Sequence, residues 1–151
     1  MSRVNVLHLS DLHLASKKLN EQDDLLRAFF NDIEWISRTH LKPDFIAFSG
    51  DLAADADEPG VYSLAIEKFI SPLLEASKID SKNLFICPGN HDAQRSIIEK
   101  QGDLIKSLDS TFSAEEQDSL FVNHDLISSL DEKFEKFREI SFRYTKPQAH
   151  L

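Results

Sequence analysis

Val4-Asn5-Val6-Leu7-His8-Leu9 is an apolar stretch that runs directly into the polar cluster Ser10-Asp11-Leu12-His13. Two further pairs repeat this arrangement: Phe45-Ile46-Ala47-Phe48 with Ser49-Gly50-Asp51, and Leu84-Phe85-Ile86-Cys87 with Pro88-Gly89-Asn90-His91-Asp92. Each apolar stretch is typical of a β-strand. Because the carboxyl ends of neighbouring strands in an open α/β sheet meet at one edge, we expect the polar clusters to converge there on a ligand crevice.

Between these strands the pattern changes to that of amphipathic helices. Residues 21–39 are predicted to be helical because six apolar residues recur at helical spacing: Leu25, Leu26, Phe29, Phe30, Ile33 and Ile36. Residues 61–77 form a second predicted helix, which Pro72 should kink or restart. Strands joined through helices indicate a mainly parallel sheet, and we expect helices on both of its faces.

The pattern predicts an α/β fold class in one domain, since 151 residues are enough for one buried core. Residues 1–93 would be a β-α-β-α-β core that carries the motifs. Residues 94–151 would be a mainly helical continuation of the same domain, with helices over 94–108 and 125–140. The one further strand candidate is a short extended piece at residues 140–144.

Composition and charge restrict the class of protein to which the chain can belong. The net charge is −9, from 17 basic and 26 acidic residues, so a uniformly basic nucleic-acid surface is absent. Cys87 is the only cysteine, which excludes an intrachain disulfide and a thiolate metal cluster. No apolar run approaches the ~20 residues that span a bilayer. With no signal-peptide core at the start, these features favour a cytoplasmic protein.

The three polar clusters contain the donors that divalent transition ions prefer. Asp11 and His13 lie two residues apart, so on an extended strand end they project to the same side. Asp51 can bridge two cations through its two oxygens. Asn90 offers a neutral carbonyl oxygen, and His91 could donate a proton because the pKa of histidine lies near neutral pH.

Each cluster also has a plain structural interpretation. Aspartate at a strand exit is often a helix cap, Gly-Asp is often a turn, and Asn-His-Asp is often a loop. Ligand-type residues after three successive strands nevertheless favour a metal centre. His8 is the exception, since a histidine inside a strand is expected to be a buried or edge residue with a backbone partner rather than a ligand.

The three clusters resemble the first three motifs of the calcineurin-like metallophosphoesterases, Asp-x-His, Gly-Asp and Gly-Asn-His-(Asp/Glu), over residues 4–93. The resemblance implies a layered β-sandwich flanked by helices, of which this chain would supply the amino-terminal half. It also implies that Asp11 and His13 bind a first metal ion, that Asp51 bridges two ions and that Asn90 binds the second. His91 would be the catalytic proton donor or a contact to the substrate phosphate.

The implied cofactors are two divalent ions, with Mn, Fe, Zn and Co all compatible with these ligands. Held about 3.5–4 Å apart, they would activate a hydroxide for attack on a phosphate ester. A carboxylate should orient His91, and Asp55 and Asp92 are the two candidates.

The chain also departs from the family pattern. The family completes its site with a later histidine and a Gly-His-x-His motif, whereas this chain has no Gly-His pair and only His124 and His150 after residue 92. His124 is expected to cap a helix rather than to bind metal. Either the chain is the amino-terminal portion of a longer enzyme, or it is a short protein that has lost catalysis or borrows ligands from a partner subunit. An exposed sheet face would favour association, including with a second copy.

Three functions therefore remain open from the sequence. The favoured one is a metal-dependent phosphoesterase acting on a phosphodiester, nucleotide or related small phosphate ester. A nuclease of the same superfamily is disfavoured by the acidic balance and by Leu12, where DNA-repair members usually carry tryptophan. The third is a non-catalytic interaction or regulatory module that uses the helical segment after residue 93.

Overall fold

Three short parallel strands form the centre of the fold. The computed structural model describes residues 3–102, 128 and 131–145. The strands are β1 (Val6–Leu9), β2 (Phe45–Phe48) and β3 (Leu84–Ile86), in the spatial order β1-β2-β3. The register places Val6 beside Phe45 and Ile46 beside Leu84. The predicted parallel α/β arrangement of the first half of the chain is confirmed.

The helices lie close to their predicted positions. A single 3-10 turn (Ser16–Lys18) leads into α1 (Leu19–Ser37). Residues 61–77 are continuously helical, as α2 (Val61–Ala65), a π-helical turn (Ile66–Ile70) and α3 (Ser71–Ser77). Pro72 is the second residue of α3, and the change of helix type comes directly before it, as expected where proline removes an intrahelical hydrogen bond.

Helices α1 and α3 pack against each other and cover one face of the sheet. The centre of this packing is aromatic, since the Phe69 ring lies 5.6 Å from that of Phe48 and 6.1 Å from those of Phe29 and Phe30, centroid to centroid. Ile46 and Leu84 are at most 1% exposed on the same face. This face of the sheet forms the hydrophobic core.

The other face of the sheet is open in the part of the chain that the structure describes. Val4, Val6 and Phe85 are 59%, 57% and 54% exposed, so the expectation of helices on both faces is wrong for these residues. The physical reason is the strand order. Because β1, β2 and β3 follow one another in a single direction, crossovers of the same hand place both helices on the same side.

The described carboxyl-terminal elements are helical. They are α4 (Arg95–Lys100), a 3-10 turn (Glu132–Phe134) and α5 (Glu135–Thr145), and residues 103–127 of the predicted helical region lie outside the described residues. The extended piece predicted at residues 140–144 is wrong, because Phe137 and Ile140 lie on one face of α5 and are buried at 2% and 3% exposure. Phe137 contacts Tyr62 ring to ring, which joins α5 to the core.

The described residues contain one sheet, so they establish the α/β architecture and not the full layered sandwich. Within the same ranges, no helix combines the length and the apolar character needed to cross a bilayer.

Candidate metal centre

The segments that follow β1 and β2 run side by side beyond the ends of the strands. The backbone N–H groups of Asp11 and His13 donate to the carbonyls of Gly50 and Asp51, at 3.0 and 2.9 Å. Leu14 continues the pairing as an isolated parallel bridge to Ala53. This backbone pairing places the first two polar clusters next to each other, as the strand pattern predicts.

Three of the candidate ligands have left-handed backbones. Asp11, His13 and Asp51 have φ angles of 58°, 47° and 57°. Residues other than glycine rarely adopt this backbone region. Those that do cluster at functional sites, where the surrounding structure holds them in place. The shared conformation shows that the fold holds these three positions against a local conformational preference.

Two glycines let the exits of β2 and β3 approach each other. Gly50 has φ +116°, and a Cβ there would lie 2.8 Å from the Cα of Gly89. A Cβ on Gly89 would collide with the carboxylate of Asp51. The sequence indicated the tight turn at Gly50, but only the structure reveals why residue 89 must also lack a side chain.

Nitrogen and carboxylate atoms of His13, Asp51 and His91 form one compact cluster. A ligand atom from each of these residues lies within 4.8 Å of the other two. His13 Nε2 is 3.9 Å from Asp51 Oδ2, and the two imidazole rings meet edge to face at 4.6 Å between centroids. Asp51 is 8% exposed, whereas Asp11 is open to solvent, with its Oδ1 3.7 Å from His13 Nε2. The structure thus brings together residues from all three motifs.

His91 is oriented by the backbone and not by a carboxylate. Its Nδ1 lies 2.8 Å from the carbonyl oxygen of Ala54. Because a carbonyl only accepts, Nδ1 must carry the proton, which leaves the lone pair of neutral histidine on Nε2. The expectation that Asp55 or Asp92 orients His91 is therefore wrong. Sequence reasoning missed this partner because any residue type supplies a backbone carbonyl.

Asp92 instead joins the segments around the site. This carboxylate is fully buried and accepts hydrogen bonds from the backbone N–H groups of Leu52, Ala53 and Gly89, at 2.9 to 3.1 Å. The Tyr62 hydroxyl donates a fourth, at 3.2 Å. Burial, together with the Asp92 charge, raises the pKa of Tyr62 far above its usual value, so the hydroxyl keeps its proton. Asp92 fixes the loop after Asp51 relative to the loop that carries His91.

The remaining predicted residues lie around this cluster. Asn90 is exposed in the loop directly before His91. His8 lies on the edge strand β1, but its partner is the side chain of Ser49, with Nε2 2.7 Å from Oγ, so the expected backbone partner is wrong. His124 and His150 lie outside the described residues.

The donor set fits a divalent transition ion. Carboxylate oxygen and imidazole nitrogen are both donors that Mn, Fe, Co and Zn accept, and Asp51 and His13 present one of each at the cluster, with His91 beside them. The backbone N–H of His91 donates to Asp51 Oδ1 at 2.9 Å, which fixes this carboxylate and leaves Oδ2 on the side of His13. The cluster lies at the carboxyl edge of the α/β sheet, where ligand crevices form, and is therefore a candidate metal centre.

The comparison with protein families agrees with this assignment. The model of the calcineurin-like phosphoesterase family matches residues 4–150, well beyond the stretch that carries the three motifs. The chain belongs to the calcineurin-like phosphoesterase family. No match was found among curated proteins.

Proposed function

We propose that this chain forms the metal-binding part of a phosphoesterase that hydrolyses phosphodiesters or nucleotide phosphate esters with two divalent ions. Membership of the family and the His13–Asp51–His91 cluster support metal-dependent phosphoester hydrolysis in general. The observation that carries the proposal is the cluster itself, because it unites motifs that are far apart along the chain.

The roles of the side chains follow from their surroundings. Asp51 would bridge the ions, because it is buried and its Oδ1 is already fixed by the His91 N–H. His13 and Asp11 would complete the first ion's ligands, and Asn90 would bind the second. Bound divalent ions would acidify a water molecule and polarise the phosphoryl oxygens.

His91 is suited to the leaving group. The Ala54 carbonyl holds its ring in place through Nδ1–H. Nε2 is therefore the ring atom that can take a proton and deliver it to the departing oxygen, which requires that His91 lies beside the bound ions without ligating them. This orientation supports the proposed role of His91 as general acid.

The test is hydrolysis of bis-p-nitrophenyl phosphate with added Mn²⁺ by the wild-type chain and by Asp51→Asn. We expect the variant to lose about a hundredfold or more in rate, because loss of even a hydrogen-bond partner of a metal ligand costs about 10- to 100-fold in metal affinity or activity. Asp23→Asn is the matched control, because Asp23 is exposed on α1. Undiminished turnover by Asp51→Asn would reject the bridging role.

A second assay separates the substrate classes. A nuclease would degrade DNA with a rate that falls steeply as salt rises, because phosphate contacts release counterions. We expect hydrolysis of the small diester to depend weakly on salt and DNA to be degraded slowly or not at all, in keeping with the net charge of −9.

A further inference from the structure

An apolar cavity of about 290 Å³ lies between the exit of β1 and helix α1. Its inner wall includes Phe48 and Phe69, which are 3% and 4% exposed, together with Phe29 and Leu9. Leu25 also lines it and is 71% exposed, so this side chain stands at the opening. The cavity is thus walled by apolar groups from the sheet, from α1 and from the π-helical turn.

The cavity adjoins the candidate metal centre through one residue. Asp11 lines the cavity, and its Oδ1 is 3.7 Å from Nε2 of His13. A molecule that fills the cavity therefore has one end beside the metal-ligating cluster. Asp11 and Ser10 are the polar residues of the lining.

We propose that this cavity binds an apolar, ring-bearing ester group of the substrate while the phosphate lies at the His13–Asp51 cluster. The inference rests on the proposed function and adds a substrate class, aromatic phosphate esters. The pocket is open to solvent on one side, and its volume of about 290 Å³ exceeds the ~150 Å³ of an enclosed apolar cavity that holds benzene in another protein, so a group the size of an aromatic ring fits. Ser10 and Asp11 supply the polar part of the wall, on the side of the cluster, and the remaining wall is apolar, which orients the ester with its ring inward.

The variant Leu25→Asp tests the cavity without disturbing the core, because the Leu25 side chain is already largely in solvent. The exchange adds a second carboxylate to the lining and removes the part of the apolar wall that Leu25 supplies. Leu41→Asp is the matched control, since it is the same exchange at a 44% exposed leucine in the segment between α1 and β2, outside the cavity lining. Circular dichroism of both variants establishes that each retains the fold.

The first measurement uses naphthol, a neutral two-ring alcohol, and metal-free protein. Titration followed by naphthol fluorescence should give saturable binding to the wild type and to Leu41→Asp. We expect binding to Leu25→Asp to be at least about tenfold weaker. Absence of saturable binding to the wild type, or equal binding to Leu25→Asp, would overturn the inference.

The second measurement uses bis-p-nitrophenyl phosphate with Mn²⁺. We expect Leu25→Asp to raise KM about tenfold with kcat within about twofold, because the lost contact is equal in ground and transition states. Naphthol should inhibit the wild type competitively. If naphthol binds as expected but neither the wild type nor either variant hydrolyses the ester, the proposed function fails. The assignment of the cavity as a site for aromatic rings then still stands. If hydrolysis proceeds with the same KM in Leu25→Asp and wild type, the cavity assignment fails alone.

Discussion

The two faces of the sheet use alternate residues of the same strands but have opposite roles. On the helix-covered face Ile46, Phe48 and Leu84 are at most 3% exposed, whereas on the open face Val6 and Phe85 are more than half exposed. Apolar side chains add to stability in proportion to the area that they remove from water. The covered face therefore stabilises this fold, and the open face contributes little.

The site belongs to neither face. Its candidate ligands follow the strands, with left-handed backbones at Asp11, His13 and Asp51. Hydrogen bonds to backbone groups hold these segments together. The apolar packing of the covered face and the hydrogen bonds of the site therefore depend on different residues. Mutations can therefore be chosen to affect one face, the other face or the edge.

The largest effect is expected for adjacent residues of β3 that point to opposite faces. Leu84→Ala should lower the free energy of unfolding by about 2–5 kcal/mol, because a fully buried side chain leaves a cavity. Phe85→Ala should lower it by less than about 1 kcal/mol despite removing a larger group, since Phe85 is 54% exposed. Urea unfolding measures both values. Equal losses would show that the open face is covered in solution.

The next effect concerns the carboxyl edge of the sheet, where the candidate metal centre lies. Asp92→Asn should lower the free energy of unfolding by about 1–3 kcal/mol, because a buried acceptor of backbone N–H groups is replaced by an amide that also donates. It should also weaken Mn²⁺ binding by about tenfold or more, since the loops around Asp51 and His91 lose their link. Asp55→Asn, the same exchange at an exposed carboxylate in the segment after Asp51, is the control. Unchanged calorimetric affinity in Asp92→Asn would contradict this positioning role.

A smaller, pH-dependent effect is expected at Asp57. Burial alone would raise the pKa of Asp57, but hydrogen bonds from the Ser96 hydroxyl and backbone N–H, at 2.7 and 2.9 Å, lower it below its usual value. A carboxyl group whose pKa is depressed in the folded state stabilises the fold above its unfolded pKa of about 3.9 and loses that contribution as pH falls through the folded value.

Asp57→Asn should therefore reduce the free energy of unfolding at neutral pH by less than about 1 kcal/mol and flatten the loss of stability below about pH 4. Thermal unfolding between pH 2 and 7 measures this. If the variant and the wild type lose stability equally between about pH 4 and pH 2, the role of Asp57 is contradicted.

The smallest effect on stability is expected on the open face itself. Val6→Lys, at a side chain 57% exposed on the edge strand, should shift the Tm by less than about 2 °C. It should reduce concentration-dependent association, because a charged edge opposes pairing of sheets. Sedimentation velocity measures association, and a distribution that matches the wild type would show that copies do not meet at this face.

Much of the first half of the chain could be predicted because local patterns decide it. The apolar stretches before Ser10, Ser49 and Pro88 gave the strands, and helical spacing gave α1. The exposure of Leu25 and of Trp35, at 71% and 66%, could not be predicted, since spacing marks an apolar stripe but not its width.

The site was predicted in part. The motifs indicated which residues meet, and the structure brings ligand atoms of His13, Asp51 and His91 within 4.8 Å of one another. The partner of His91 and the hydrogen bonds of Asp92 could not be predicted, because backbone groups take part in both. A sequence motif identifies side chains by their type, whereas a hydrogen bond to the backbone depends on where loops lie in space.

The sequence by itself determined the strands, the helix between β1 and β2, and which polar side chains are candidate metal ligands, because periodicity and residue chemistry are local properties. Only the tertiary structure decided that both crossovers lie on one side of the sheet, that Ala54 orients His91 and that a cavity adjoins Asp11. These features depend on strand order and on the approach of loops distant along the chain, which no local pattern records.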